Sequence, residues 1–324
     1  MSLLGIDLGG TKVSFAIFSR QGTIIIKETI LLGKRKGSNA GLLITAKISS
    51  LLGKLKNTMD RIESIGISVP GIYHSKTGTV WAPNITGWES YPLLEEAFIA
   101  AGGIPVVIDS DRACSILGES WQGNARGCKD AVFLAVGTGI GAGILINGEI
   151  LRGSHDIAGS IGWMALDRPY LEKYRKCGCF EFHASGEGIA KSAREYINAH
   201  KEYKGELSIK PASVLTAHDV FNAFESEDHA AVNVIQKCIG FWGMAIANVV
   251  SLFNPEKIIL GGGVLGSAER LIPAIYEEAS KWGQPISMKL VRIEATALAG
   301  DAAVYGAGFL ALGNLEKSIN SLEK

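Results

Sequence analysis

Asp7-Leu8-Gly9-Gly10-Thr11-Lys12 closes the first apolar run of the chain with a carboxylate, two glycines, a hydroxyl and an amine. Glycines let backbone N–H groups close on an anion and form a concave cluster of partial positive charge. The arrangement returns at Ala135-Val136-Gly137-Thr138-Gly139, and a third glycine turn, Gly261-Gly262-Gly263, follows the apolar residues 258–260. Such a set suits a nucleotide. Gly9, Gly10, Thr11, Lys12, Gly137, Thr138 and Gly139 would meet phosphate oxygens, while Gly261, Gly262 and Gly263 would let an adenosine lie flat on the backbone. Asp7 suits a Mg²⁺ held through water, because Mg²⁺ prefers oxygen ligands and keeps much of its hydration shell. Any one turn is explained as well by a tight hairpin that needs positive φ. Three of them, each after a buried strand and two in matching positions, point to a ligand. The G-x-x-x-x-G-K-[ST] loop is absent, and strand rather than helix follows Gly137-Thr138-Gly139.

A second chemical group lies at Asp109-Ser110-Asp111, between an apolar run at 105–108 and an apolar helical stretch at 113–117. Asp109 or Ser110 serves as the helix N-cap, satisfying N–H groups of the first turn. Asp111, at the carboxyl end of a strand, stands where a general base for a hydroxyl would sit. Phosphoryl transfer asks for positioning, charge neutralisation and one such proton acceptor.

These residues need elements to hold them. Runs at 3–8, 12–18 and 23–31, separated by Gly9-Gly10 and Gln21-Gly22, predict a three-stranded antiparallel meander. Helix is predicted at 40–59, strand at 64–68, helix at 93–101, strand at 105–108 and helix from 110. The pattern starts again with strands at 131–136, 140–146 and 149–151, around an Asn147-Gly148 turn. Helices at 187–200 and 229–252 follow, the second ending at Asn254-Pro255, and then a strand at 258–260.

The chain has 324 residues, about two domains' worth at roughly 150 residues each. The expected division is 1–112 and 113–300, with a C-terminal helix at 301–324 completing the first domain. Lys+Arg and Asp+Glu are both 32, so no cationic excess is available for nucleic acid or a membrane surface. Five cysteines, an odd number, suit a reduced cytoplasmic protein. No charged and apolar leader precedes Gly5, and the apolar run 244–253 is too short to cross a bilayer.

The duplicated meander with alternating helices and strands resembles the two-domain actin-like ATPase (ribonuclease H-like) α/β fold, in which ATP lies in an interdomain cleft. Over nearly its whole length the sequence resembles the ROK group of bacterial sugar kinases and repressors. Gly5-Ile6-Asp7-Leu8-Gly9-Gly10-Thr11-Lys12 is similar to that family's first phosphate motif. Val69-Pro70-Gly71 resembles its sugar-domain turn, and Ala82-Pro83-Asn84-Ile85-Thr86-Gly87-Trp88 its hexose-contacting loop. Asp109-Ser110-Asp111-Arg112-Ala113 resembles the segment whose Asp is the catalytic base. The resemblance implies ATP and Mg²⁺ as cofactors, a small-molecule sugar acceptor and a homodimer, with which the apolar, Trp-containing helix at 229–252 is compatible. It implies Gly71, Asn84, Ser110, Asp111 and Glu181 as acceptor contacts.

Departures from the family gather on the acceptor. Ser160 stands at a sugar-binding Glu position and Trp163 at a His position. Of the zinc loop only Gly178-Cys179-Phe180-Glu181 is retained, with Glu172 and Tyr174 where two cysteines are expected. One thiolate does not hold structural zinc, and Cys177, Cys179 and His183 are cramped and lack a fourth ligand, so no zinc is expected. Trp88 and Trp163 are either core residues or faces for a pyranose. Glu181 is either a sugar ligand or a solvated first-turn residue. Kinase chemistry on an altered hexose is the leading expectation and a non-catalytic sugar- or nucleotide-binding regulator the alternative. A repressor's DNA-binding segment is not expected in the four residues before Gly5.

Overall fold

The first strands form where the apolar runs predict them. A computed structural model of the chain describes residues 2–55, 61–266 and 269–322. β1 (Ser2–Leu8), β2 (Lys12–Ser19) and β3 (Ile24–Leu31) are an antiparallel meander. β1 and β2 are buried along nearly their whole length, as strands covered on both faces must be, whereas β3 is largely exposed or half-buried. Then come α1 (Ser38–Leu55), β4 (Ile62–Val69), a small hairpin of β5 (Ile72–His74) and β6 (Thr79–Trp81), α2 (Leu93–Ala100), β7 (Val106–Ser110) and α3 (Asp111–Gln122). Residues 56–59 of the predicted first helix lie outside the described residues. The sheet order is β3-β2-β1-β4-β7, with β1, β4 and β7 parallel. Their carboxyl ends therefore share one edge. The register sets Asp7 opposite Ser68, and Ser68 opposite Asp109.

The second unit repeats the plan. β8 (Ala131–Val136), β9 (Ile140–Ile146) and β10 (Glu149–Ile150) precede α4 (Cys179–Ala184), α5 (Gly186–Ala199), α6 (Ala217–Glu225) and α7 (His229–Phe253). β11 (Lys257–Gly261), α8 (Gly262–Leu265), α9 (Ile272–Trp282), α10 (Pro285–Leu290) and β12 (Arg292–Ala295) complete it. The sheet runs β10-β9-β8-β11-β12, with β8, β11 and β12 parallel. This duplicated α/β architecture is the actin-like ATPase (ribonuclease H-like) fold.

α7 is the core helix of this unit. Asp228 caps its start, accepting from the Ala230 and Ala231 N–H groups, and Asn254, at φ 44°, ends it in the left-handed conformation. By length and composition α7 could cross a membrane, but its apolar residues line the unit's own core. Trp242 is fully buried there, with Nε1 donating to the Ala184 carbonyl at 3.1 Å. The tryptophan of this helix is thus spent on the core and is not a surface for a second copy.

The first unit takes in Met1–Gly127, Ile150–Ala158 and Asp301–Lys324, and the second Cys128–Glu149 and Gly159–Gly300. The boundary expected at 112/113 falls inside α3. The helix stays with the first unit because α11 (Ala302–Leu322) packs on α3, β1 and β4. These contacts are backbone against backbone. A Cβ on Gly306 would lie 1.7 Å from the Cys114 carbonyl oxygen, one on Gly118 2.1 Å from that of Ala302, and one on Gly66 1.9 Å from that of Ala307. Gly306→Ala is therefore expected to destabilise the protein by about 3 kcal/mol, the upper range for forcing a methyl into packed structure. Urea denaturation of wild type and variant measures it.

Candidate active site

The shared edge of β1, β4 and β7 gathers three carboxylates. Asp7, at the end of β1, accepts from the Ser68 hydroxyl at 2.8 Å. Burial, and to a lesser degree the Asp111 charge, pushes the Asp7 pKa up to about 6 against the pull of the Ser68 bond. Asp109 is 6% exposed. Its Oδ2 accepts from Nε and Nη2 of Arg152 at 3.0 and 2.6 Å, while Oδ1 accepts from the Ser110 N–H at 2.8 Å. Ser110 is the N-cap of α3, its hydroxyl accepting from the Ala113 N–H at 3.3 Å. Asp111, the first helical residue, accepts from the Arg112 N–H at 2.8 Å. Burial raises its pKa, outweighing the opposing Arg112 charge.

Around this edge lie the turns. Gly9 N–H donates to the Lys12 carbonyl at 2.9 Å, closing the Asp7–Lys12 turn. Neither Gly9 nor Gly10 has a left-handed φ, so strain does not account for them. A Cβ on Gly10 would lie 3.6 Å from Asn84 Cβ, which brings the loop at 82–88 against the turn. Gly71 does need its conformation, at φ 94°, and a Cβ there would meet the Trp81 carbonyl oxygen at 2.3 Å. The Gly71 carbonyl accepts from Arg112 Nη2 at 3.2 Å. Trp88 belongs to the core: it is 1% exposed, stacks on Tyr91 at 4.2 Å and donates to the Gly37 carbonyl at 3.0 Å.

In the second unit the glycines converge. Gly137 N–H donates to the Gly139 carbonyl at 2.9 Å, and Gly186 N–H to the Gly137 carbonyl at 2.7 Å. A Cβ on Gly186 would lie 3.0 Å from that carbonyl oxygen, one on Gly262 2.4 Å from the Val136 carbonyl oxygen, and one on Gly137 3.7 Å from the Gly263 nitrogen. At the carboxyl ends of β8 and β11 the chain is thus bare backbone. The third glycine turn is the start of α8, and Gly261 has a packing reason of its own, since the Phe133 ring fills its side-chain position at 2.1 Å. Thr138 and Glu181 lie on the wall of a cavity of ≈ 630 Å³, with Lys173, Lys176, Ser185 and Lys191.

On the acceptor side of this unit, Ser160 is half-buried before the tight turn Ile161–Trp163. Trp163 is 58% exposed and lines a cavity of ≈ 1080 Å³ with Tyr170, Met244 and Trp282, so the core expectation fails for it. Glu181 is not a solvated residue: its Oε2 accepts from the Ile140 N–H at 2.6 Å, and burial raises its pKa. The Tyr174 hydroxyl meets His183 Nε2 at 2.8 Å and donates to Asp167 Oδ2 at 3.5 Å, and the His183 ring stacks on Phe241 at 4.5 Å. All five cysteines are free thiols. Among the described residues no group of three His, Cys, Asp or Glu side chains is placed to hold a metal ion.

Known proteins resemble this chain in sequence and fold. The ROK family model matches residues 3–314. The chain belongs to the ROK family. A glucokinase of Halalkalibacterium halodurans is 34% identical over 327 residues, covering 99% of this chain and 97% of its own length. The solved structure of a ROK family glucokinase from Streptomyces griseus, in complex with glucose and AMPPNP, superposes with a TM-score of 0.77 at 26% identity, over 96% of this chain and 99% of that one. A ROK family transcriptional regulator, a homolog of the E. coli MLC protein, superposes with a TM-score of 0.87 at 26% identity, over 100% of this chain and 81% of that one.

Within this ROK chain, Ser68, Arg112, Arg152 and the Ser185-Gly186 pair are partners of the candidate site residues that sequence reasoning missed. Ser185-Gly186 carried a signal, a capping residue followed by glycine at a helix start. Arg152 carried none, because only the fold brings it to an acid 43 positions away. Asp7 yields a stability prediction. Its native pKa of about 6 lies above the ordinary 3.8, so between these values the folded state binds more protons than the unfolded one. Wild-type stability therefore falls as pH rises from about 4 to about 6, by about 1–3 kcal/mol relative to Asp7→Asn, which has no proton to lose. Denaturation free energies of both proteins across pH 4–7 check it.

Proposed function

We propose that this chain is an ATP-dependent sugar kinase that transfers the γ-phosphoryl group to a hydroxyl of a hexose or hexose derivative. The observation that carries this reading is Asp111: a carboxylate of raised proton affinity, at the sheet edge that also carries Asp7 and the first glycine turn. Asp111 accepts the acceptor hydroxyl's proton as that oxygen bonds to the γ-phosphorus; the bond to the bridging oxygen breaks and ADP leaves. The proposed nucleotide contacts are Gly9, Gly10, Thr11, Lys12, Gly137, Thr138, Gly139, Gly261, Gly262 and Gly263. Gly71, Asn84, Ser110, Ser160, Trp163 and Glu181 are the proposed acceptor contacts.

Asp7 fits Mg²⁺. It offers oxygen ligands, is oriented by Ser68, and carries a buried charge that a divalent cation would relieve. Held by Asp7, Mg²⁺ would supply charge neutralisation at the phosphates. Cytoplasmic residence and small-molecule ligands complete the reading, supported by the five free thiols and the zero net charge. The homodimer is supported by the exposed aromatic residues Tyr170 and Trp282.

ADP release measured across a panel of hexoses and hexose derivatives tests the proposal. Activity on at least one sugar is expected, and Asp111→Asn should lower kcat by about 10²–10⁴-fold with a much smaller effect on KM. A flat panel, or an unaffected variant, overturns it. The likeness to the transcriptional regulator favours a second reading, a non-catalytic sugar-binding protein. That reading requires calorimetric sugar binding without Mg-ATP and no turnover on any sugar of the panel.

A further inference from the structure

Ile140, whose N–H is bonded to Glu181, opens β9 immediately after Gly139, the last residue of the second glycine turn. A Cβ on Gly139 would lie 2.8 Å from Glu181 Oε2. On the other side, a Cβ on Gly162 would lie 3.0 Å from Glu181 Cβ and 3.1 Å from Oε2. The carboxylate is thus wedged between the glycine turn and the segment that carries Ser160 and Trp163. Its helix is itself pinned. A Cβ on Gly178 would fall 2.4 Å from the Gly162 carbonyl oxygen and 2.5 Å from Trp163 Cα, and Phe180 N–H donates to the Met164 carbonyl at 3.3 Å. The Tyr174–His183 bond holds the far end of α4.

We propose that Glu181 is a positioning residue for the nucleotide's phosphate turn, tying Gly137-Thr138-Gly139 to the acceptor-side segment at 159–163. What the turn holds rests on the kinase reading; the tie itself does not. A carboxylate that served only as an acceptor ligand would leave nucleotide affinity unchanged. One that also sets the Gly139-Ile140 backbone makes nucleotide binding depend on it with no sugar present. Gln at this position keeps a side-chain oxygen able to accept the Ile140 N–H, whereas Ala does not.

The test titrates Mg–AMPPNP by calorimetry, without sugar, into wild type, Glu181→Ala and Glu181→Gln, and follows exchange of the Ile140 amide in all three. Glu181→Ala is expected to weaken AMPPNP about tenfold and to speed Ile140 exchange about tenfold, the scale of one lost charge-assisted bond. Glu181→Gln should bring both within about threefold of wild type. Gly139→Ala, which pushes a methyl against the intact carboxylate, should reproduce the Glu181→Ala losses, and it serves where Glu181→Ala does not fold. Unchanged Ile140 exchange, or unchanged AMPPNP affinity, in Glu181→Ala and Gly139→Ala overturns the proposal. If the wild type takes up no AMPPNP, the kinase reading is what fails, and the exchange measurement alone decides the tie.

Discussion

Three carboxylates pressed into one edge of a sheet set the terms for everything around them. Parallel pairing of β1, β4 and β7 forces their carboxyl ends together, and the register puts Asp7, Ser68 and Asp109 side by side. Burying a carboxylate is costly unless it is paired or hydrogen-bonded. Each acid meets that cost differently. Asp109 takes the Arg152 fork, Asp7 the Ser68 hydroxyl, and Asp111 the backbone at the first turn of α3, where the helix dipole favours negative charge. Asp109 is engaged by a two-bonded arginine, while Asp7 and Asp111 lack such a partner and have raised proton affinity.

In the second unit the strand ends themselves carry glycine, and the charged groups near them, Glu181 above all, come from the segments packed around the turn. Gly137, Gly186, Gly262 and Gly263 leave main-chain amides and carbonyls as the exposed chemistry. The two halves of a duplicated fold thus differ in where the charge comes from: the strand ends in the first, the neighbouring helices in the second. Tyr174 and His183 of the same unit are held by their mutual hydrogen bond.

Much of this was legible in the sequence because strand and turn signals are local. The runs at 131–136 and 140–146 form strands with those bounds, and Asn254 ends α7 before Pro255 as its dipeptide implies. Asp111 was legible because a carboxylate between an apolar strand and an apolar helix has few places to go. The β5–β6 hairpin was not, since three-residue strands are too short to show a period. The extent of the first unit was not, because α3 is held there by α11, almost 200 positions later. Arg152 and Ser68 matter only through partners the fold supplies, and Trp88 and Trp163 look alike in sequence while one is buried and the other exposed.

The glycine contacts of α11 also bear on the order of synthesis. The first unit is begun by β1 and covered by a helix that starts at Ala302, and its sheet presents Gly5 and Gly66, and α3 presents Gly118 and the Cys114 carbonyl, at the positions that helix fills. A chain emerging from the ribosome makes the whole second unit before it can close the first. At about 5–20 residues per second, the nascent protein spends upwards of about ten seconds with an apolar seam of Leu3, Ala16 and Phe18 uncovered. The core begun by the first strands is therefore completed only when the last helix of the fold arrives.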